Sequence, residues 1–177
     1  MRKAILLLAA VALMLATGAI GWASASGTDV RGRPACTISG TNGDDELRGT
    51  SGRDVICARG GEDIVYGRRG DDVIYGGRGT DELYDGNGDD RVYGGARRDI
   101  MYGERGDDRL FGQGGRDEIS DRLGADLLSG GRGSDRLCAN DDETNDRLVG
   151  GAGLDSYTAD SGDVLRSVEE SIPECFP

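Results

Sequence analysis

Between residues 40 and 158, apolar positions recur with a period of nine residues. In the copy 76–84 the order is Gly, Gly, any residue, Gly, any residue, Asp, any residue, an aliphatic residue and any residue. We number these positions as slots 1 to 9. The eighth slot is apolar throughout: Leu47, Ile56, Val65, Ile74, Leu83, Val92, Met101, Leu110, Ile119, Leu128, Leu137, Leu148 and Tyr157. A repeat this regular predicts stacked, nearly identical structural units.

Each copy predicts one loop and one short strand. Slots 7 to 9 suit a strand whose eighth residue faces inward while its neighbours face outward. Glycines in the first, second and fourth slots predict a loop with positive φ. Two copies then form a coil of eighteen residues, and coils stack at strand spacing. The predicted fold class is all-β: a right-handed parallel β-roll (β-solenoid) with two nonapeptides per coil, about six coils and short end caps.

The sixth slot carries the candidate chemistry. It is aspartate in every copy: Asp45, Asp54, Asp63, Asp72, Asp81, Asp90, Asp99, Asp108, Asp117, Asp126, Asp135, Asp146 and Asp155. Residues one coil apart lie above one another, so neighbouring loops offer paired carboxylates beside glycine carbonyls. Calcium favours such oxygen ligands in a flexible arrangement, whereas magnesium requires tighter octahedral geometry. The alternative is that these aspartates only cap turns by accepting backbone N–H bonds.

With these slots, the chain resembles the RTX, or haemolysin-type, calcium-binding repeat family. The resemblance covers residues 40–158 and implies several bound calcium ions, for which the stacked pairs allow at most about eleven sites. Several residues depart from the pattern, and we therefore expect fewer ions. Asp85 and Asp121 replace the first-slot glycine, and Arg97 replaces the fourth-slot glycine. The second slot carries Arg59, Arg68, Glu104, Gln113 and Arg122.

The hydrophobic core of such a coil is small. Each coil buries two aliphatic side chains, which cannot offset the entropy lost in ordering eighteen residues. Stacked carboxylates add repulsion. We therefore expect calcium binding and folding to be one process.

Composition supports a thin, repetitive fold and argues against an enzyme. The 177 residues include 32 Gly, two Phe and one Trp, too few large side chains for a filled globular core. RTX repeats often follow catalytic domains, but little of this chain lies outside the repeats. No His and no G-x-S-x-G motif occur, which excludes the common hydrolase and zinc-protease machinery. The formal net charge of −12 gives no reason to expect nucleic acid as a partner.

The two ends of the chain predict export and caps. Arg2 and Lys3 precede an uncharged run over 4–23, and Ala23 and Ala25 form a small-residue cleavage pattern. We expect residues 1–25 to be a signal peptide and the protein to be secreted or extracellular. The alternative is an uncleaved anchor that holds the repeats outside the membrane. Residues 26–39 are predicted to be an N-terminal cap with a decayed repeat, in which Ile38 faces inward, and 159–177 a C-terminal cap.

Four cysteines flank the repeats, which is consistent with export to an oxidising compartment. Of three possible pairings we favour Cys36–Cys57 and Cys138–Cys175, because each closes one end of the array locally. A zinc site is the alternative, but the chain lacks both CxxC and His.

Aromatic residues fill the ninth slot in six consecutive copies. Those of alternate copies share a face and predict two ladders: Tyr66, Tyr84 and Tyr102, and Tyr75, Tyr93 and Phe111. The functional prediction is an exported calcium-binding β-roll that folds on calcium and serves as a structural, cell-surface or extracellular module. The alternative is a calcium-dependent adhesin that uses these ladders as contacts for cell-wall glycan or another extracellular protein. Stacking within the fold is the simpler interpretation of the ladders.

Overall fold

The computed structural model describes residues 34–139 and 145–171, and these form two parallel sheets. We call them sheet A and sheet B. Sheet A contains, in spatial order, β1 (Ile38–Ser39), β3 (Val55–Gly60), β5 (Val73–Arg78), β7 (Arg91–Ala96), β9 (Arg109–Gly114), β11 (Leu127–Arg132), β13 (Arg147–Ala152) and β15 (Val164–Arg166). Sheet B contains β2 (Glu46–Arg48), β4 (Ile64–Arg69), β6 (Glu82–Asn87), β8 (Ile100–Tyr102), β10 (Glu118–Asp121), β12 (Arg136–Ala139), β14 (Ser156–Ala159) and β16 (Glu170–Ser171).

The chain alternates between the sheets at every repeat, so that two repeats make one turn of a β-solenoid. Each strand pairs in parallel with the strand two places along the chain, and Ile74 lies beside Val92 in the register of β5 and β7. Residues eighteen apart are therefore neighbours, as predicted. The solenoid has about seven turns, because strands outside the thirteen repeats extend both ends. This architecture confirms the parallel β-roll.

The core consists of the eighth-slot side chains, in one column from each sheet. From Ile56 to Leu148 every member of the two columns has no exposed surface. Ile38, Leu47 and Tyr157 pack against this core from the two ends and are partly buried. Ile38 thus occupies the inward position expected of a decayed repeat.

The strands are longer than the sequence predicts. Eight of the sixteen strands in the described residues contain six residues, because slots 1 to 3 of the next copy continue the strand. In β5 and β7, Gly77 pairs with Gly95 and Arg78 pairs with Ala96. The loops are correspondingly short: only residues 79–81 separate β5 from β6.

The first-slot glycines are required for space, and the prediction that they adopt positive φ is wrong. Among the described residues they do not take left-handed φ values, whereas Gly77 in the second slot has φ 111° and Gly79 in the fourth has φ 135°. A Cβ on Gly76 would lie 2.6 Å from the Asp81 Oδ2 atom and 2.6 Å from the Gly94 carbonyl oxygen. Glycine is needed there because a carboxylate and a neighbouring backbone approach too closely for a side chain.

Three non-glycine residues in the second slot adopt the conformation that glycine takes elsewhere. Arg59, Arg68 and Gln113 have φ values of 82°, 83° and 74°. Arg97 in the fourth slot has φ 86°. Left-handed φ costs an L-residue about 1–2 kcal/mol, so these positions hold local strain.

Replacing Gln113 with glycine is expected to raise the free energy of unfolding by about 1 kcal/mol, because it relieves the strain of left-handed φ. The greater conformational entropy that glycine gives the unfolded chain reduces this gain. Gln113 is exposed, so few contacts are lost. Chemical denaturation in saturating calcium measures the change. The matched control is Gln113→Ala, which keeps the Cβ and therefore the strain, and it should not stabilise the protein. Equal stability of Gln113→Gly and wild type would show that the position is unstrained.

The ends of the solenoid carry further contacts. Cys36 and Cys57 form a disulfide with Cα atoms 5.9 Å apart, which confirms the first predicted pairing and joins the N-terminal segment to β3. Closing a loop of this length contributes about 3 kcal/mol on the chain-entropy model. The pairing Cys138–Cys175 and the signal peptide at 1–25 involve residues outside those described.

At the C-terminal end, β15 and β16 add to the two sheets. Val168 packs against the core, as expected of a residue that covers the end of the stack. Val164 and Leu165, predicted to share that role, are instead 50% and 37% exposed. Ile172, the fourth residue of that prediction, lies outside the described residues.

Candidate metal centre

The sixth-slot aspartates form two columns, one in each series of loops between the sheets. One column runs through Asp45, Asp63, Asp81, Asp99, Asp117, Asp135 and Asp155, and the other through Asp54, Asp72, Asp90, Asp108, Asp126 and Asp146. All are buried except Asp45, which is half-buried. The structure therefore stacks the predicted pairs, including those that span the two-residue insertion.

One oxygen of each carboxylate joins adjacent coils. The backbone N–H of Asp63 donates to the Asp81 Oδ1 atom at 3.0 Å, and that of Asp81 donates to the Asp99 Oδ1 atom at 2.9 Å. The same bond continues across the insertion, from the Asp126 N–H to the Asp146 Oδ1 atom at 2.9 Å. Oδ1 thus accepts a backbone N–H bond, as the capping interpretation expects, but from the adjacent coil and not from its own turn. Arg97 does not disturb the arrangement at Asp99.

The second oxygen has a different environment. Ten sixth-slot aspartates have a buried Oδ2 atom without a hydrogen-bond partner among the described residues: Asp63, Asp72, Asp81, Asp90, Asp99, Asp108, Asp117, Asp126, Asp135 and Asp155. Six of these atoms lie close to the first-slot glycine of their own repeat, those of Asp72, Asp81, Asp99, Asp117, Asp135 and Asp155; a Cβ on Gly130 would lie 2.3 Å from the Asp135 Oδ2 atom. Leaving a buried carboxylate oxygen unpaired is costly. A hard cation would satisfy these atoms, and backbone carbonyls lie beside them.

The first two repeats differ from the rest. The backbone N–H of Thr41 donates to the Asp45 Oδ2 atom at 2.6 Å, and that of Thr50 donates to the Asp54 Oδ2 atom at 2.7 Å. Both threonine hydroxyls donate to the same oxygens. Protein groups alone therefore satisfy Asp45 and Asp54, so the N-terminal repeats have less need of a cation.

Burial raises the pKa of most sixth-slot carboxyls. Removal from water is the largest cause, and like charges in neighbouring coils add to it, while the backbone N–H bond to Oδ1 opposes it. The pKa is raised to about 8 for Asp90 and Asp99, to about 7 for Asp72, Asp117 and Asp126, and to about 6 for Asp81 and Asp108. Divalent cations would reverse this, because they favour the charged form.

Two acidic residues that the sequence analysis missed end the columns. The Asp146 N–H donates to the Asp163 Oδ1 atom at 3.1 Å, and the Asp155 N–H donates to the Glu169 Oε2 atom at 2.7 Å. They stand 17 and 14 residues after their partners, so the period does not identify them. For Asp163 the available signal was its position just before Val164 and Leu165, whereas Glu169 has no such segment after it.

Asp85 and Asp121, which appeared to be departures from the repeat, belong to the same acidic region. Both are buried, with 0% and 3% of their surface exposed. Their carboxylates lie close to those of the sixth-slot residues Asp90, Asp108 and Asp126. Burial and these like charges raise the pKa of both groups well above the usual range.

The aromatic ladders form as predicted. Tyr66, Tyr84 and Tyr102 stack on sheet B, and Tyr75, Tyr93 and Phe111 stack on sheet A, with neighbouring ring centroids 4.9 to 5.2 Å apart. All six rings are half-buried. Each stacked pair adds about 0.5–1.5 kcal/mol, which confirms the structural interpretation. A role as a contact surface is a separate question.

A family model described as the RTX calcium-binding nonapeptide repeat (four copies) matches the chain at residues 39–74, 58–84, 66–101, 84–119, 102–137, 111–144 and 139–164. These matches together cover residues 39–164 without a gap. No curated protein matches the chain. The described residues contain no helix that is both long and apolar enough to span a bilayer.

Proposed function

Because the chain belongs to the RTX calcium-binding nonapeptide-repeat family, we propose that it is an exported β-roll whose coils are held together by calcium and that serves as a structural module at the cell surface or outside the cell. The observation that carries this proposal is the set of buried Oδ2 atoms that have no hydrogen-bond partner within residues 34–139 and 145–171. Calcium supplies the positive charge that these atoms lack and binds carbonyl oxygens as well.

We assign the calcium ligands to the sixth-slot aspartates. The stacked pairs from Asp63 to Asp155 provide one carboxylate from each of two adjacent loops, with glycine-loop carbonyls nearby. Asp45 and Asp54 are the weakest candidates, because threonines already satisfy their Oδ2 atoms. We therefore expect fewer ions than the eleven stacked pairs allow.

Export is supported by the N-terminal charge and apolar pattern of residues 1–25. The Cys36–Cys57 disulfide is consistent with it, since disulfides persist in oxidising compartments. The matching family model is described as a calcium-binding repeat, and we infer a role without catalysis.

Isothermal titration with CaCl₂ tests the proposal. We expect several equivalents of calcium to bind, and equimolar MgCl₂ to bind far more weakly. Asp81→Asn should weaken calcium binding, because Asp81 belongs to two stacked pairs while its amide oxygen can still accept the Asp63 N–H bond. Glu62→Gln, which removes the same charge from an exposed loop position, is the control and should bind as wild type does. A chain that binds no calcium would refute the proposal.

A second candidate function, calcium-dependent adhesion, is favoured by one surface feature. Tyr75 and Tyr93 line a groove on sheet A together with Gly77, Gly95 and Gln113. Flat aromatic rings beside small residues suit stacking on the apolar face of a sugar.

Sedimentation with insoluble cell-wall glycan in calcium tests this role. Tyr93→Leu should reduce retention, whereas Tyr84→Leu is the matched control because it changes the central ring of the other ladder. Equal retention of both variants and wild type would leave only the structural role.

A further inference from the structure

Two aspartates occupy the first slot, where most repeats carry glycine. Asp85, Gly103 and Asp121 occupy the same slot at eighteen-residue intervals, so they lie in one column at sheet B. The side chains of Asp85 and Asp121 are at least nine-tenths buried. A buried acid at a position that carries glycine or alanine in the other repeats needs a physical explanation.

Both side chains approach the layer of Gly103 from opposite directions. The Asp85 Oδ1 atom accepts the N–H of Glu104 in the next coil, at 3.2 Å, and that of Gly86 at 2.6 Å. The Asp121 Oδ2 atom occupies the space over Gly103, where a Cβ would lie only 2.2 Å away. Gly103 therefore leaves room for the two acids to converge.

The point of convergence is Asp108, the sixth-slot residue of the same repeat as Gly103. One carboxylate oxygen from each of Asp85, Asp90 and Asp108 lies within 4.8 Å of the other two. The same is true of Asp108, Asp121 and Asp126. Asp108 is thus common to two groups of three buried carboxylates.

These five carboxylates form no ion pair with an arginine side chain among the described residues. Each Oδ2 atom is buried and accepts no hydrogen bond there. The ion pairs of the described residues involve other acids, Glu46 and Glu118. Buried carboxylates that face one another without partners would repel if all were charged, and this arrangement would be unstable. A cation between them removes the repulsion, so the geometry indicates a cation site.

We propose that Asp85, Asp90, Asp108, Asp121 and Asp126 form a two-calcium centre bridged by Asp108, which binds calcium more tightly than the other loop pairs. This rests on the proposed calcium-binding function and extends it to two residues outside the sixth slot. Three stacked aspartates alone would leave two divalent ions with excess positive charge. The two additional carboxylates bring the ligand set to five negative charges against the four positive charges of two ions, and calcium affinity rises with the charge of the ligand set.

Calcium titration of paired variants tests the centre. The double variant Asp85→Gly, Asp121→Gly restores the glycine of the repeat and keeps every sixth-slot aspartate. In its calorimetric titration with CaCl₂, two sites should leave the tightest class, because their dissociation constants for calcium rise roughly tenfold or more. Asp107→Asn is the control: Asp107 is adjacent to Asp108 and exposed, so the titration should remain within about twofold of wild type.

A second variant separates charge from shape. Asp85→Asn, Asp121→Asn keeps the side-chain volume and the oxygens that accept backbone N–H bonds, so it should lose the same two sites. Without calcium, this variant should retain more β circular dichroism than wild type, because buried like charges are removed. A wild-type chain without calcium binding refutes the general proposal. Normal binding that is unchanged in both double variants overturns the two-calcium centre alone.

Discussion

Chelation of calcium with excess EDTA at pH 8 is expected to abolish most of the β-sheet circular dichroism of this protein. The folded chain holds ten sixth-slot Oδ2 atoms without hydrogen-bond partners among its described residues, and most lie one coil from a like charge. Its core is two columns of single side chains. Without divalent ions, the hydrophobic contribution is too small to confine that charge.

The size of the expected effect follows from linkage. Each site filled at one hundred times its dissociation constant adds about 2.7 kcal/mol to the free energy of unfolding. Several sites together exceed the total stability of an ordinary domain, about 5–15 kcal/mol. Calcium removal should therefore change the fold itself rather than lower a melting temperature by a few degrees.

Circular dichroism during a calcium titration measures this coupling. Added CaCl₂ should restore the signal cooperatively, because a site exists only when two coils are stacked. Equimolar MgCl₂ is the control and should restore little. Full β structure in excess EDTA at pH 8 would contradict the assignment of the Oδ2 atoms to calcium.

Acidification is expected to have opposite effects on the calcium-free and calcium-loaded protein. In the calcium-free chain, burial raises the pKa of Asp90 and Asp99 to about 8 and of Asp81 to about 6, against about 3.9 for an unfolded aspartate. Between these values the folded chain binds more protons than the unfolded chain. Stability without calcium therefore falls as pH rises from about 4 to 8 and increases on acidification.

With calcium, the sign reverses. Calcium binds the ionised carboxylates, so protons compete with it and binding releases protons. Stability of the loaded protein should fall as pH decreases from 8 to 5. The β circular dichroism measured at several pH values between 5 and 8 at a fixed denaturant concentration, with calcium and with EDTA, should change with pH in opposite directions.

A pair of variants assigns the pH effect to buried groups. Asp90→Asn removes a buried carboxyl and should flatten the calcium-free slope. Glu62→Gln removes an exposed one and should leave the slope unchanged. The same slope sign with and without calcium would contradict the explanation.

The sequence predicted the features that depend on period alone. The inward eighth slot, the coil of two repeats, the stacked aspartates and both aromatic ladders follow from residues that recur at nine or eighteen. The Cys36–Cys57 disulfide followed from its position at one end of the array.

Features that depend on how adjacent coils meet were not predictable in this way. The need for first-slot glycine arises from the Oδ2 atom of the same repeat and the carbonyl of the next coil, both within 2.6 Å of a Cβ on Gly76. Asp163 and Glu169 end the columns without keeping the period. Val164 and Leu165 stay exposed although they are apolar, because they lie at the edge of the last coil.

By itself, the sequence determined the repeating unit of this protein, its pairing into coils and the ion that its acids suit, because a strict period places equivalent residues in equivalent positions. The tertiary structure alone decided which oxygen of each carboxylate bonds to the backbone and which is left for a cation. It also decided that Asp85 and Asp121 meet at Asp108. These contacts form between coils. Which atoms pair there depends on distances of a few ångströms between adjacent backbones, and the residue types alone do not give those distances.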